Sequence, residues 1–170
     1  MSMENTKLTG PGLEKYPDSL IIFSNLVMAL WIGLGTLACW FFYPLAAWIY
    51  LLVAVLMVGV ILRKLVCTNC YYYGKWCATG WGKLAALFFK QGSIENFSRS
   101  IGVKLAPATY GLLSLIPIVL GVIAVIREFT MTKVSVLVLL FLVSFYSGAV
   151  SRRKSCRNCK MRNICPGATK

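Results

Sequence analysis

The sequence predicts an all-α integral membrane protein with four transmembrane helices, arranged as two tandem repeated hairpins that are each followed by a cytoplasmic cassette of three cysteines. Of the 170 residues, 58% are hydrophobic and only 14% are charged, whereas a soluble domain averages roughly a quarter charged residues. Between Asp18 and Arg63 there are 44 consecutive positions without Asp, Glu, Lys or Arg. These observations exclude a disordered chain, a collagen and a conventional soluble enzyme.

The uncharged runs define the spans in order. A span needs about 20 apolar residues, so the first run is long enough for two helices. We place the break at Tyr43-Pro44, because Pro disfavours the helical conformation of the preceding residue and is well suited to a helix start. The first span is then about 19–42 and the second about 45–62. Two later uncharged runs, between Lys104 and Arg127 and between Lys133 and Arg152, predict the third and fourth spans.

This pattern divides the chain into five segments. A cleaved signal peptide is the alternative for the first span, but that span is long, its leader is not positively charged overall, and a second span follows at once. The predicted segments are a leader (1–18), a first hairpin (19–62), a cysteine cassette with an amphipathic segment (63–104), a second hairpin (105–151) and a basic cysteine cassette (152–170).

The basic residues predict the orientation of the chain. Sixteen of the 18 Lys and Arg residues lie in the leader, the middle loop and the tail, against only Arg127 and Lys133 in the two hairpin turns. The positive-inside rule therefore puts both termini and both cassettes in the cytoplasm. The same rule accounts for the net charge of +13, so no nucleic-acid partner is expected and the expected surroundings are the lipid bilayer.

The spans themselves carry little chemistry. None contains an ionisable Asp, Glu, Lys, Arg or His, and proton relays and ion pathways usually need such residues. Polar and small side chains in the spans are expected to serve helix packing. The residues concerned are Ala29 with Gly33, Ser144 with Gly148, Asn25 as a hydrogen-bonding residue across a helix pair, and Cys39 as a small buried side chain.

Two matching cysteine cassettes are the strongest feature of the sequence. Each consists of a basic pair, a Cys-x-Asn-Cys segment and a third cysteine, and the two cassettes begin 89 residues apart. Pro17 and Pro107, shortly before or at the start of spans one and three, lie 90 apart. The chain therefore resembles a duplicated hairpin whose copies are parallel in the membrane. The first cassette contains Cys67, Cys70 and Cys77, and the second contains Cys156, Cys159 and Cys165.

Thiols without any histidine favour a soft metal. A reducing cytoplasm disfavours stable disulfides, and thiolates select zinc, iron–sulfur clusters or copper(I) over magnesium or calcium. The two Cys-x-x-Cys turns could supply the four sulfurs of one tetrahedral zinc site, which leaves Cys77 and Cys165 unused. Two separate three-cysteine sites would use all six thiols. Each would then need a fourth ligand from water, a carboxylate such as Glu95, a partner subunit or a bound small molecule.

The second cassette also resembles a known cluster-binding segment. Cys156-Arg-Asn-Cys159-Lys-Met-Arg-Asn-Ile-Cys165-Pro166 is similar to the Cys-x2-Cys-x5-Cys-Pro segment that holds a [4Fe–4S] cluster in RecB-type and CRISPR-associated nucleases and to auxiliary-cluster segments of SPASM proteins. The resemblance covers about a dozen residues, and it implies an iron–sulfur cluster completed by a further cysteine, which the other cassette could supply. No nuclease or radical-enzyme constellation accompanies it, so those activities are not implied.

Aromatic residues surround the first cassette. They form either a belt at the membrane interface or a shield around a cluster. Helical spacing of Trp81, Leu84 and Phe88 predicts a short amphipathic helix on the membrane, followed by a polar loop over Gln91–Arg99. The aromatic residues are Tyr71, Tyr72, Tyr73, Trp76 and Trp81.

Three functions are consistent with these patterns. The first is electron transfer by a membrane iron–sulfur protein, with a redox protein or a second copy of the chain as partner. The second is a membrane scaffold or assembly protein in which zinc clamps the two hairpins. The third is transport or sensing of a soft metal or small molecule, for which Cys39 is the one cysteine within a span. Without His, and with only Glu95 near the cassettes, we expect no catalytic activity of the chain on its own.

Overall fold

The computed structural model describes residues 12–166 and 168, and every regular element within these residues is helical. Four helices are long and apolar enough to cross a membrane. At 25 to 27 residues each is about 38 to 40 Å long, which exceeds the roughly 30 Å of a bilayer's hydrocarbon core. This confirms the predicted all-α fold and the four predicted helices that are long and apolar enough to span a membrane. The helices are α1 (Asp18–Phe42), α2 (Pro44–Asn69), a short α3 (Trp81–Phe88), α4 (Ile101–Arg127) and α5 (Met131–Arg157).

The two hairpin turns lie side by side at one end of the bundle. Tyr43 is extended (φ −162°, ψ 130°) between α1 and α2, as predicted from the proline that follows it. In the other turn, the Arg127 guanidinium carbon is 4.7 Å from the ring centroid of Phe42. Consequently α1 and α4 begin, and α2 and α5 end, at the opposite end of the bundle, which we call the cysteine end.

At the cysteine end the helices are longer than predicted. The predicted boundaries 62/63, 104/105 and 151/152 all fall inside helices, so Cys67 and Cys156 lie in the last turns of α2 and α5. Pro107 is likewise inside α4 and not at its start. The first turn of α4 is capped by Ser100, whose Oγ accepts the Val103 N–H at 3.4 Å. The first basic residue after an uncharged run is therefore a poor guide to the end of a helix. A helix can continue past that residue, because its long basic side chain still reaches water.

Helix α1 packs against each of the other three spanning helices. Two hydrogen bonds tie the bundle together inside: Tyr50 Oη donates to the Leu113 carbonyl at 2.9 Å, and Trp31 Nε1 donates to Ser144 Oγ at 3.1 Å. Cys39 is fully buried in this core, as predicted. The core side chains are Trp31, Leu34, Ala38, Cys39, Ala47, Tyr50, Ala54, Val58, Leu113 and Leu140.

Of the small residues expected at helix contacts, Ser144 lies in one, because it accepts the Trp31 Nε1–H, but the expectation for Gly33 and Gly148 is wrong. Gly33 and Gly148 have no atom within 4 Å of where a Cβ would stand, so both face outward. Close approach occurs instead at Gly35, where a Cβ would meet the Tyr50 ring, and at Gly121, where it would lie 3.5 Å from Ala38.

Helices α2 and α5 share an irregularity. Each contains a π-helical segment before its cysteines, Val55–Ile61 in α2 and Tyr146–Ser151 in α5. π-Helical turns of this kind occur mostly as local bulges and often near functional sites. Both segments lie near the cysteine end and change the direction in which the last turns present their side chains.

Candidate metal centre

The two cysteine cassettes are in contact at the cysteine end of the bundle. Cys70 of the first and Cys159 of the second pack together into the same two apolar clusters. Cys77 joins the first of these clusters, around Tyr72, and Cys165 joins the second. All six cassette thiols are partly buried, and none is in a disulfide. The fold thus brings together residues that are 89 positions apart in the sequence.

The two Cys-x-x-Cys turns share a backbone pattern. The Cys70 N–H donates to the Cys67 carbonyl at 3.3 Å, and the Cys159 N–H donates to the Cys156 carbonyl at 3.2 Å. Each turn therefore closes on the last residues of its spanning helix. The second cysteine of each pair, Cys70 or Cys159, packs against the same two apolar clusters.

The loop after Cys70 depends on two glycines. Gly80 has φ +73° and its N–H donates to the Cys77 carbonyl at 2.9 Å, a conformation that costs other residues roughly 1 kcal/mol or more. A Cβ at Gly82 would collide with the Tyr72 carbonyl oxygen. These glycines let α3 begin directly against the first cassette, which confirms the predicted helix at Trp81.

The leader bridges the two cassettes, a role that the sequence did not suggest. The Leu13 N–H donates to the Asn158 carbonyl at 3.0 Å, and the Tyr16 N–H donates to the Trp76 carbonyl at 3.2 Å. Tyr16 Oη also donates to the Ser155 carbonyl at 2.9 Å. Residues 13–16 are thus bonded to the second cassette on one side and to the first on the other. The available signal was Tyr16 itself, the one aromatic residue of the leader.

Tyr72 joins all three segments. Its hydroxyl donates to the Leu13 carbonyl at 2.6 Å and accepts the Lys160 N–H at 3.3 Å. Its ring makes T-shaped contacts with Tyr16 at 5.7 Å and with Tyr71 at 5.3 Å between centroids. Only 2% of Tyr72 is exposed, and it packs beside Cys70 and Cys159. These rings cover one part of Cys70 and Cys159, and both cysteines stay partly exposed.

A surface layer of charges covers this aromatic group. Lys160 Nζ is 3.0 Å from Glu14 Oε1 and 3.3 Å from Tyr71 Oη, and Lys75 Nζ is 4.1 Å from the centroid of the Tyr71 ring. The ion pair lowers the pKa of Glu14 and raises that of Lys160. Burial raises the pKa of Tyr71, but hydrogen bonds from the two lysines outweigh it and lower that pKa.

Arg63 is a buried cation beneath the first cassette. Only 8% of it is exposed. Its Nε donates to the Val58 carbonyl at 3.0 Å, its guanidinium carbon is 2.9 Å from the Trp81 ring centroid, and its guanidinium lies beside the Cys67 thiol. Among the described residues no carboxylate pairs with it. A buried charge is costly unless it is paired, and the anion best placed to pair with Arg63 is a thiolate at Cys67.

Asn25 connects α1 to the same region. Its amide donates to the Thr79 carbonyl at 2.9 Å, and its Oδ1 accepts the Trp81 Nε1–H at 2.9 Å. This confirms the expected hydrogen bond across a helix pair, and the partner helix is the short α3. Asn25 holds the loop after Cys77 and the start of α3 against α1.

Burial keeps the central thiols protonated when no cation is bound. It raises the pKa of Cys159 to about 11 and raises that of Cys70 strongly, because a thiolate is poorly solvated there. A bound metal ion reverses this preference, since coordination deprotonates a thiol outright. Metal binding at these residues would therefore release protons.

The donor set fits a soft metal, because all six candidate ligands are sulfur. Their side chains do not yet converge: over residues 12–166 no three or more Cys, Asp or Glu side chains are grouped as metal ligands. Glu95 is exposed in the turn Ile94–Asn96 and is not drawn into the cluster of thiols.

Comparison with known proteins adds no relative: the chain matches no protein-family model, no curated protein and no solved structure. The chemistry of the site follows from its own residues.

Proposed function

We propose that the chain is an integral membrane metalloprotein that binds an iron–sulfur cluster, [4Fe–4S], at the cytoplasmic membrane face. In this role it transfers electrons between a cytoplasmic donor and a membrane partner within a redox complex. The observation that supports this proposal most is that Cys70 and Cys159 pack against the same two apolar clusters, at the end of the bundle where two histidine-free cassettes meet. The candidate ligands are Cys67, Cys70, Cys77, Cys156, Cys159 and Cys165.

One shared centre is favoured over two separate ones. A [4Fe–4S] cluster is held by four cysteine thiolates. Cys159 interacts electrostatically with Cys156 and Cys165 of its own cassette and also with Cys70 and Cys77 of the other one. A four-sulfur set that includes Cys70 and Cys159 therefore draws on both cassettes.

The surroundings of the thiols suit an anionic centre. A cluster held by four thiolates carries net negative charge, and Arg63 supplies a buried positive charge next to Cys67. Tyr72 and Tyr16 exclude water on the opposite side. Charge, hydrogen bonding and solvent exclusion are the means by which a protein sets a cluster's reduction potential. When bound, the cluster supplies one-electron chemistry that the side chains of this protein cannot supply.

The duplicated architecture and the orientation belong to the same proposal. The contacts of α1 with α5 have a counterpart in those of α2 with α4, as a two-fold relation between hairpins requires, and the π-helical segments occur at similar places. The basic residues of the middle loop and tail lie at the cysteine end, and the positive-inside rule turns that end to the cytoplasm.

A zinc-stabilised scaffold is the second candidate. It is favoured by the matching backbone turns of the two Cys-x-x-Cys segments and by the leader, which already ties the two halves together. Zinc held by Cys67, Cys70, Cys156 and Cys159 would lock that junction. For the transport hypothesis, Cys39 lies fully buried in the packed core, and no observation favours it as part of a pathway.

The test is to purify the full chain without oxygen, chelators or an affinity-tag metal. Iron, acid-labile sulfide and zinc per chain are then measured together with the visible absorption spectrum. We expect about four irons with matching sulfide, lost in Cys70→Ser and Cys159→Ser. Cys39→Ala is the matched control, because it removes a cysteine outside the cassettes. Zinc without sulfide would contradict the iron–sulfur proposal and support the zinc-stabilised scaffold. A protein without any metal would contradict both proposals.

A further inference from the structure

A groove on the outer face of α5 combines cationic and apolar side chains. It has a volume of about 570 Å³ and is open to the surroundings of the bundle. Its apolar part is formed by Phe145, Ala149 and Val150, and its polar part by Arg153, Lys154 and Arg157. The basic side chains come from the last turns of the spanning helix. The groove therefore crosses the level at which a bilayer changes from hydrocarbon to headgroups.

The three cations of this groove are available to a ligand. Arg153, Lys154 and Arg157 are exposed, and within the described residues no carboxylate forms an ion pair with any of them. Other tail cations differ, because Lys160 is paired with Glu14 and in contact with Tyr71. Three unneutralised positive charges within about one helical turn form a local site for an anion.

The apolar part of the groove restricts the chemical class of anion that can fill it. Ala149 precedes Arg153 by one turn, about 6 Å along the helix axis, and the half-buried Ala149 lies between the exposed side chains of Phe145 and Val150. A ligand that fills the groove needs a negatively charged head and an apolar chain directly attached to it. Free phosphate satisfies only the first requirement, whereas an anionic phospholipid satisfies both.

We propose that this groove on α5 binds one anionic phospholipid, with the phosphate between Arg153, Lys154 and Arg157 and an acyl chain along Phe145, Ala149 and Val150. Cations close to the headgroup level attract anionic lipids by roughly a factor of five each. The groove holds its three cations on one face, so it selects one lipid molecule in addition to the general attraction of the basic tail. Lipid binding here does not require the metal proposed for the cassettes, although Arg157 lies in the chain between the candidate ligands Cys156 and Cys159.

The experiment measures lipid retention by the full chain. Protein in neutral detergent is mixed with equal amounts of phosphatidylglycerol and phosphatidylcholine, and bound lipid is counted by native mass spectrometry. We expect one phosphatidylglycerol per chain, with affinity about a hundredfold lower in the triple variant R153Q/K154Q/R157Q. The matched control K90Q/R99Q/K104Q removes three exposed charges from the same end of the bundle, and we expect less than about a threefold loss.

Two further measurements distinguish a bound lipid from other occupants of the groove. Excess inorganic phosphate should not displace the bound phosphatidylglycerol, and Ala149→Trp, which fills the apolar part, should weaken binding with all three cations present. Equal losses in the two triple variants, equal retention of the two lipids or displacement by phosphate would overturn the proposal. A second copy of the chain in place of lipid would overturn it as well. Helix content by circular dichroism confirms that each variant is folded.

Discussion

The buried guanidinium of Arg63 gives the sharpest prediction. Arg63→Met keeps the apolar stem but removes a charge-assisted hydrogen bond to the Val58 carbonyl at 3.0 Å and the contact with the Trp81 ring at 2.9 Å. It also removes the positive charge beside Cys67. Breaking a buried pair from one side costs about 3 to 5 kcal/mol. We therefore expect the metal-loaded protein to lose about 3 kcal/mol of unfolding free energy.

The change in stability caused by Arg63→Met should depend on whether metal is bound. In the metal-free protein no metal-held thiolate lies beside Arg63, and removing a buried charge that has no ionic partner also removes its desolvation penalty. Arg63→Met should then change stability little or raise it. Arg63→Lys keeps the charge but loses the planar fork and its stacking on the aromatic ring, so its effect in the loaded protein should be intermediate.

Thermal unfolding in detergent, followed by circular dichroism with and without metal, measures this difference. A loss of about 3 kcal/mol corresponds to roughly 6 to 12 °C in Tm for a chain of this size. Equal destabilisation by Arg63→Met in the loaded and metal-free protein would refute the assignment of Arg63 as a counter-ion. The residue would then serve packing alone.

Three further predictions concern the junction of the cassettes. Tyr72→Phe removes two hydrogen bonds and should cost about 2 kcal/mol, roughly 4 to 8 °C in Tm, whereas Tyr73→Phe removes one bond outside the junction and should cost about half as much. Pairing with Lys160 lowers the pKa of Glu14 from 4.5, so the ion pair stabilises the folded state above pH 4.5 and this stabilisation is lost as the pH falls through the lowered pKa. The wild type should therefore be slightly more stable than Glu14→Gln at pH 7, and the two should unfold alike in acid. Gly82→Ala puts a Cβ against a backbone carbonyl. It should lower the free energy of unfolding by about 1 to 3 kcal/mol and reduce the amount of bound metal. A normal metal content together with an unchanged Tm would contradict this prediction.

The membrane architecture was predictable because one dominant energy determines it. A long uncharged run has to be a helix in hydrocarbon, where every backbone group must be bonded internally, and Pro44 fixed the only break in the first run. The helix ends were not predictable in the same way. Charge at Arg63 or Lys104 marks the hydrocarbon boundary, but a helix continues beyond it as long as backbone bonds and capping by groups such as Ser100 allow.

The candidate site was predictable in composition but not in assembly. The repeated Cys-x-Asn-Cys pattern identified the six thiols, and the fold brings Cys70 and Cys159 together. The leader's part could not be foreseen, because Tyr16 acts through backbone carbonyls that have no sequence signature. Arg63 was not predicted as a site residue, and the reason is different. The positive-inside rule already explained its charge, and only packing against Trp81 distinguishes it from the exposed Lys64.

Removing each cassette in turn tests the central claim of one centre built by both halves. The three cysteines of the first cassette are replaced by serine in one variant and those of the second cassette in another, and iron, sulfide and zinc per chain are measured after anaerobic purification. A shared iron–sulfur centre predicts that either variant loses all of the iron and sulfide found in the intact chain. Half the metal retained in each variant, or iron and sulfide absent from the intact protein, would contradict it.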